Sequence, residues 1–526
     1  MSVLEKSDSA EPSGFAQLAF ALGLLAIGVI YAGYNLVDDL EVVRSPSVMP
    51  FILLGVALTI ALGFEFVNGF HDTANAVATV IYTHALPPTV AVMWSGMWNF
   101  IGVLTSTGAV AFGIISLLPV ELILQVGSSA GFAMVFALLI AAIIWNIGTW
   151  YFGLPNSSSH TLIGSIIGVG LMNQLMAGSS GTSGVDWSQA GGIGRALLFS
   201  PVVGFVLSAL LLLLSKALIR IPKLYKAPEG KAPPPWWIRG LLVLTCTGVS
   251  FAHGSNDGQK GMGLIMLILI GTVPTAYALN RAVDASKIPA FAAISQQATE
   301  VLKGAAPSAP ASTNAQKDVT EFVRTRTLAP GTLPALAQLA TKISGEVTSY
   351  GSLAGVPPDA VGNVRNEMYL ASEALRLIAK SGEPALDAGA QATLKKYNGA
   401  LNDATKFIPT WVKVAVAIAL GLGTMIGWKR IVVTVGERIG KEHLTYAQGA
   451  SAELVAMATI GAADMYGLPV STTHVLSSGV AGTMAANSSG LQWSTIKSLI
   501  LAWVLTLPAS IALAGALYWL FSRLFA

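Results

Sequence analysis

Long apolar stretches dominate this sequence and limit the folds that are open to it. Most of them approach or exceed the roughly 20 residues that a helix needs to cross a bilayer. Backbone groups in lipid must be hydrogen-bonded within the protein, so such runs predict transmembrane α-helices. We expect spans at residues 15–34, 51–81, 90–112, 131–152, 160–176, 195–219, 241–279, 411–428, 450–466, 474–487 and 495–521.

Charged residues are scarce and unevenly distributed. They make up 11% of the 526 residues, against about 25% in an ordinary soluble protein. Of these residues, 24 lie between positions 280 and 410, where no long apolar run occurs and where 359–380 has helical spacing. The sequence therefore predicts an all-α polytopic membrane protein of about 11–12 transmembrane helices, with a small, water-exposed helical insert at 280–410.

Composition also excludes several classes of protein. A large soluble enzyme, a disordered chain and a disulfide scaffold do not fit, and the single cysteine, Cys246, cannot form an internal bridge. A net charge of +3 is too small to indicate a nucleic-acid partner. No motif in the insert indicates catalysis, and no cofactor is expected.

Basic residues in short loops predict the orientation, because such loops stay in the cytoplasm. Lys and Arg are concentrated at 216–240 and 429–443. The predicted spans between these loops are 241–279 and 411–428. Because 411–428 crosses the membrane once, both loops can be cytoplasmic only if 241–279 also crosses once, as a broken span. The insert then faces outward, which means the periplasm if the membrane is the inner membrane of a Gram-negative cell. The first apolar run lacks a basic leader, so we expect a retained helix and not a signal peptide.

Two polar motifs each occur twice. FVNGFHDTANA at 66–76 matches FAHGSNDGQKG at 251–261, and GLPNSSSH at 153–160 matches GLPVSTTH at 467–474. The number of residues from the acidic motif to the GLP motif is larger in the second copy than in the first, by about the length of the insert. We therefore expect an N-terminal segment with one extra helix (1–50), a first repeat (51–219), a basic loop (220–240), and a second repeat divided by the insert (241–279 and 411–526).

With the orientation above, the two repeats are inverted. Inverted repeats with broken helices are the architecture of secondary transporters, whose site lies where the repeats meet.

The duplicated acidic motifs predict a site for a cation or a proton. An aspartate within a span costs about 2.5–3.5 kcal/mol on insertion scales, so it usually lines a cavity or is paired. Asp72 and Asp257 are the candidates, with Asn75 and Asn256 adding neutral oxygens. Packing polar groups satisfied by neighbouring helices are the alternative.

The two GLPxSxxH segments suit an anion. Ser or Thr before an apolar helix caps its start, and the free N–H groups of that start attract anions. The candidate hydroxyls are Ser157, Ser158, Ser159, Ser471, Thr472 and Thr473. A simple N-cap at a helix break is the alternative reading of each copy taken alone.

Several other ionisable residues lie in or beside these motifs. His71 is a candidate proton relay because imidazole titrates near neutral pH. His160 and His474 are candidates for relay or for fixing the local backbone. Glu65, Glu453 and Asp464 are secondary, and we expect them to be paired.

These motifs, in this order, resemble the inorganic phosphate transporters of the Pit family, most closely the bacterial low-affinity members. The resemblance covers about 50–280 and 410–521. It implies an inverted-repeat symporter, often dimeric, that takes up phosphate with protons, including neutral complexes with divalent metal ions. It would assign phosphate contact to the six hydroxyls, and cation coupling to Asp72, Asn75, Asn256 and Asp257. No fixed metal site is implied.

Two positions depart from the sodium-coupled relatives, which read Asn-Asp-x-Ala-Asn in both copies. His71 replaces the first Asn, and Lys260 replaces the last Asn of the second copy. An ammonium in a sodium position repels sodium, so protons are favoured. Lys260 could instead hold Asp257 or contact phosphate.

Other functions remain open at this stage. Sodium-coupled phosphate symport, or transport of another tetrahedral oxyanion such as sulfate, keeps the same fold. An intramembrane serine hydrolase is a remote alternative, because the duplication would give two nucleophiles and neither has the usual Gly-x-Ser-x-Gly turn. We therefore expect a transporter and not an enzyme.

Overall fold

The computed structural model describes residues 14–40, 49–124, 128–177, 184–228, 230 and 232–524, and the side chains of residues 14–18, 20, 50, 72–75, 120 and 121 lie outside that description. The described part is helical. No β-strand occurs in it, and an isolated bridge joins Gly440 to Leu491. The helices are α1 (Gly14–Leu40), α2 (Met49–Tyr82), α3 (Pro88–Thr105), α4 (Ala109–Ile115), α5 (Val120–Leu124), α6 (Ser129–Tyr151), α7 (Ser158–Ala177), α8 (Trp187–Leu218), α9 (Trp236–Thr272), α10 (Pro274–Tyr277), α11 (Ile288–Gly304), α12 (Ala315–Thr325), α13 (Thr332–Tyr350), α14 (Pro358–Ser381), α15 (Ala388–Thr405), α16 (Thr410–Ile426), α17 (Lys429–Val433), α18 (Tyr446–Met465), α19 (Thr472–Ala486) and α20 (Trp493–Leu524).

Six of the described helices, α1, α2, α6, α7, α8 and α20, are long and apolar enough to cross a membrane. Two bent pairs, α3 with α4 and α15 with α16, each turn by 74° and raise the number to eight. By length and composition this is fewer than the 11–12 spans predicted. The predicted spans that do not meet this test of length and hydropathy are those at α9, α18 and α19. Polar residues lower the mean hydropathy of α9 and α18, and α19 has only 15 residues.

Two helix pairs approach each other closely at glycines. A Cβ on Gly254 of α9 would lie 2.1 Å from the Asn99 carbonyl oxygen of α3, and one on Gly69 of α2 would lie 2.5 Å from that of Leu420 in α16. The reciprocal glycines are Gly102 and Gly423, which face the carbonyl oxygens of Phe251 and Phe66. The repeated motif F-x-x-G therefore makes the same kind of contact in both copies.

A second pair of contacts also recurs. A Cβ on Gly168 of α7 would lie 2.2 Å from the Ile511 carbonyl oxygen of α20, and one on Gly482 of α19 would lie 2.2 Å from that of Phe205 in α8. Small residues allow such close backbone approach within membranes. Each short helix that follows a GLP break thus packs on the last long helix of the other half.

Helices α11–α15 form the insert. Buried apolar side chains such as Leu336, Met368 and Leu401 give it a core. The helices on either side of the insert, α10 and α16, are tied to α1, because Tyr277 and Trp411 both donate hydrogen bonds to the Asp39 carboxylate, at 2.6 and 3.2 Å.

Ion pairs connect the insert to the start of α8. Asp186 caps that helix by accepting the Gln189 N–H at 2.9 Å, and it also pairs with Arg376 (2.9 Å) and Arg326 (3.3 Å) of the insert. Burial alone would raise the pKa of the Asp186 carboxyl. The hydrogen bonds from Gln189 and Arg376 and the two positive charges outweigh burial and hold the pKa below its usual range.

Candidate functional site

The acidic motif of the second repeat holds a buried ion pair. Asp257 and Lys260 lie one helical turn apart on α9, and the Lys260 Nζ is 2.8 Å from the Asp257 Oδ2. Each residue is 1% exposed. The His253 Nε2 lies 3.3 Å from the same oxygen, and the His253 Nδ1 lies 2.6 Å from the Asn99 Oδ1. One carboxylate oxygen therefore collects two nitrogen neighbours from its own helix.

Ser158 brings the first GLP break to this pair. It is the first residue of α7, and its Oγ accepts a hydrogen bond from the Lys260 Nζ at 3.0 Å and donates to the Asp257 Oδ2 at 3.4 Å. A hydroxyl can donate and accept at once, so Ser158 fits between an ammonium and a carboxylate. The candidate anion segment and the candidate coupling segment, about 100 residues apart in sequence, are in direct contact.

The starts of α7 and α19 have the same local structure. Ser157 and Ser471 cap them by accepting the N–H of His160 (3.2 Å) and His474 (3.1 Å). The N–H groups of a first helical turn have no partner within the helix, so each cap satisfies one of them. Proline and a hydroxyl residue in GLPxSxxH therefore produce a broken helix with a capped start, in both copies.

The two breaks also touch each other. The Ser159 hydroxyl donates to the Val470 carbonyl oxygen at 2.7 Å. The rings of His160 and His474 are 4.7 Å apart, and Trp503 stacks on His474 at 4.2 Å. The positive ends of two helix dipoles therefore converge on one buried region.

The residue before each aspartate is hydrogen-bonded to the GLP break of the same repeat. The His71 Nε2 donates to the Asn146 carbonyl at 2.8 Å, and its Nδ1 accepts the Asn156 N–H at 3.4 Å. In the second copy, Asn256 donates to the Leu468 carbonyl at 3.2 Å. Because both ring nitrogens of His71 are engaged in this way, the geometry fits a neutral imidazole that positions the break.

The remaining predicted residues are placed as follows. Asp72 and Asn75 lie on α2, but their side chains are outside the described residues. Thr472 and Thr473 are buried in the first turn of α19. Within the described chain, the Asp257 Oδ1 and the Asn256 Oδ1 are buried acceptors without a hydrogen-bond partner.

Three carboxylates treated as secondary in the sequence are buried or paired. Asp464 accepts hydrogen bonds from Ser255 and Gln259, both at 2.6 Å. Glu453 accepts one from Thr245, and Glu65 accepts one from Asn68 at 3.3 Å.

Sequence reasoning missed His253 and Asn99 as neighbours of the ion pair. The spacing of His253, four residues before Asp257, could have indicated the first of them. Among the residues that the structure describes, no group of three or more His, Cys, Asp or Glu side chains could hold a metal ion.

Comparison with known proteins identifies the family. Residues 68–514 match the model of the phosphate transporter family. The low-affinity inorganic phosphate transporters PitB and PitA of Escherichia coli are 43% and 44% identical, over 89% of this chain and 96% of theirs. A probable low-affinity inorganic phosphate transporter of Bacillus subtilis is 28% identical over 90% of this chain and 99% of its own.

Among solved structures, a sodium-dependent phosphate transporter covers 89% of this chain at 19% identity, with a TM-score of 0.48. The family match spans most of the chain, and two relatives exceed 40% identity over nearly their whole length. The chain therefore belongs to the phosphate transporter family.

Proposed function

We propose that this protein imports inorganic phosphate through the inner membrane by proton symport, alone or as a neutral complex with a divalent metal ion. The observation that carries the proposal is the meeting of two hydroxyl-rich helix starts beside the buried Asp257–Lys260 pair. The names of the relatives support phosphate as the cargo.

The site has the chemistry that a tetrahedral oxyanion needs. Two helix starts supply N–H groups and positive dipole ends. Serine and threonine hydroxyls supply further donors without a fixed charge, and Lys260 supplies one mobile cation. The contact between Ser159 and Val470 joins the two breaks. An anion that enters there and separates the breaks would be surrounded by donors from both helix starts.

The ion pair supports the proposed coupling to protons. While Asp257 is ionised, it holds Lys260 at 2.8 Å. A proton that arrives from outside converts the carboxylate to a neutral acid and releases the ammonium to pair with phosphate. When phosphate leaves on the inner side, the proton leaves Asp257 and the ion pair forms again. Lys260 already fills the position of a cation, so this half of the protein has no need of sodium.

Alternating access is proposed to use the two halves as inverted repeats. The matched glycine contacts support this idea, because α7 packs on α20 in the same way as α19 packs on α8. Rocking of one half against the other would open the helix starts to each side in turn. We further propose a homodimer, with the loops 216–240 and 429–443 in the cytoplasm and the insert in the periplasm.

Uptake by the purified protein in liposomes tests the cargo. Labelled phosphate should enter, and unlabelled arsenate should compete better than sulfate. Ser158→Ala should reduce uptake, whereas Ser165→Ala, which removes a hydroxyl bonded to its own helix at the Thr161 carbonyl, should not. Stronger competition by sulfate would refute phosphate as the cargo.

A pH gradient across the same liposomes tests the coupling. An inward proton gradient should drive phosphate above equilibrium, and Asp257→Asn should abolish that accumulation. Accumulation that ignores the proton gradient and follows an imposed sodium gradient would rule out proton symport.

A further inference from the structure

A cavity of about 240 Å³ lies between the insert and the helices of the membrane portion. Helices α4 and α9 form one wall, and residues 365–376 of α14 with 405 and 406 form the other. The cavity is several times larger than the roughly 30 Å³ share of one water molecule in the liquid. It is separate from the contact between the two GLP breaks.

The lining of this cavity has more positive than negative charge. Its ionisable groups are three cations, Arg365, Arg376 and Lys406, and one carboxylate, Glu373. Glu373 and Asp186 both pair with Arg376. Neither Arg365 nor Lys406 lies within ion-pair distance of a carboxylate among the described residues, and the Glu373 charge attracts Lys406 from farther away.

Arg365 is buried without satisfying its donors. It is 6% exposed, and its Nε has no hydrogen-bond partner in the described part of the chain. One terminal nitrogen donates to the neutral Asn366 amide oxygen at 3.1 Å, and the guanidinium lies over the Tyr369 ring at 5.0 Å. A buried charge is costly unless it is paired and hydrogen-bonded, so the vacant donor indicates a missing anion.

Lys406 has a similar environment at the end of α15. Burial is the largest influence and lowers the pKa of its ammonium; the Glu373 carboxylate raises that pKa, and the charges of Arg376 and Arg365 lower it. Burial also lowers the pKa of the Arg365 guanidinium. Two like charges held together in a partly closed space attract an anion more strongly than either would at the surface.

We propose that this cavity binds a phosphate ion between Arg365 and Lys406 and serves as an entry site for the transporter. The choice of phosphate among small oxyanions rests on the proposed function. Tyr369 and the hydroxyl of Thr405 in the lining could complete the coordination.

The position of the cavity fits an entry site. Met266 of α9 lines it and lies nine residues from Asp257, which is about 14 Å along a helix. Helix α4 lines it as well, and the N–H of Val110 in that helix donates to the Gln259 Oε1 at 2.9 Å. A Cβ built on Gly467 at the second break would lie 3.3 Å from the Ala109 Cβ of α4. A short helix thus separates the cavity from the transport site.

Equilibrium binding of labelled phosphate to the full-length protein tests the proposal. The double variant Asp257→Asn with Lys260→Met removes the charged pair of the transport site, so the effect of a further change in the cavity can be measured in its absence. This background should still bind phosphate, and adding Arg365→Gln or Lys406→Gln should weaken binding at least about tenfold, or about 1.4 kcal/mol. Arg365→Lys, which keeps the charge, should retain most of the binding.

Lys395→Gln is the matched control, because it removes an exposed charge from the same insert and should leave binding unchanged. Binding that is absent in the double variant, or that is indifferent to Arg365→Gln and Lys406→Gln, would overturn the proposal. An equal loss with Lys395→Gln would also overturn it, because a diffuse surface charge would then explain the binding.

Uptake separates this inference from the proposed function. In otherwise wild-type protein, Arg365→Gln should lower uptake at low phosphate concentration by about threefold or more and leave the maximal rate unchanged. Normal uptake without binding in the cavity would refute the entry site alone. Binding in the cavity without any phosphate uptake by the wild-type protein would refute the proposed function and leave the cavity as an anion site.

Discussion

Lys260→Met should strongly destabilise the protein, because it leaves a buried carboxylate without its cation. Asp257 and Lys260 are 2.8 Å apart and each is 1% exposed, so water cannot replace the lost partner. Removing one member of a buried ion pair costs about 3–5 kcal/mol, whereas replacing both members with neutral groups is often nearly free. The double variant Asp257→Asn with Lys260→Met should therefore be close to wild type in stability.

The magnitude can be measured by titrating the protein in non-ionic micelles with sodium dodecyl sulfate and following helix content by circular dichroism. A cost of 3–5 kcal/mol shifts the folding equilibrium roughly a hundred- to several-thousandfold. Lys497→Met, which removes an exposed lysine near the start of α20, is the matched control and should leave the transition in place. Both variants that lack Lys260 should fail to transport phosphate.

The reasoning fails if Lys260→Met unfolds at the wild-type detergent fraction. It also fails if the double variant is as unstable as the sum of the two single changes, because a real pair gives a coupling energy of about 0.5–3 kcal/mol in such a cycle. Loss of uptake without loss of stability would mean that Lys260 contacts the cargo and does not hold Asp257.

Three further predictions concern other parts of the structure. Ser158→Ala should lower uptake roughly ten- to hundredfold, because one hydroxyl that bonds both members of the ion pair is worth about 1.5–3 kcal/mol; liposome uptake measures it, with Ser165→Ala near the wild-type rate. Gly168→Ala should destabilise the protein by about 1–3 kcal/mol in the detergent titration, because its methyl group would lie 2.2 Å from a carbonyl oxygen of the neighbouring helix. Gly148→Ala, with open space around it, should be neutral or stabilising by up to about 1 kcal/mol. Acidification below about pH 4 should loosen the insert, because the Asp186 carboxyl has a depressed pKa in the folded protein. Such a carboxyl contributes stability above its unfolded pKa and loses that contribution as the pH falls through its folded pKa. Limited proteolysis should show the loosening, and Asp186→Asn should remove the pH dependence.

The helices and the insert follow from local sequence patterns. The apolar run at 131–152 became α6, Ser129–Tyr151, and the charged stretch at 280–410 contains the five helices of the insert. Each depends on residues near in sequence, so periodicity and charge are sufficient. Counting spans from such patterns was less successful, because α9 and α18 carry polar residues that face other helices and lower their mean hydropathy.

The candidate site could be predicted only in part. Duplication of the two motifs indicated that Ser158 and Asp257 matter, but nothing local could show that they touch, because 99 residues separate them. Lys260 was open to two roles in the sequence, and its distance to the Asp257 carboxylate selects the ion pair for this conformation. The two hydrogen bonds of His71 depend on Asn146 and Asn156, which no pattern around His71 reveals.

The charge of the cavity beneath the insert was also hidden. Arg365, Glu373 and Arg376 lie on one helix, where their spacing predicts ordinary surface pairs. Only the fold shows that Asp186 competes for Arg376, and that Lys406 joins the same cavity from another helix.

Phosphate binding where the two broken helices meet can be tested by an experimental structure of the protein soaked in arsenate, with the arsenic located by its anomalous signal. We expect an arsenic peak within hydrogen-bond reach of Ser158 and of the hydroxyls at 471–473, with Lys260 turned toward it. A fully occupied peak elsewhere in the membrane portion, with the contact between Ser159 and Val470 intact, would contradict this expectation.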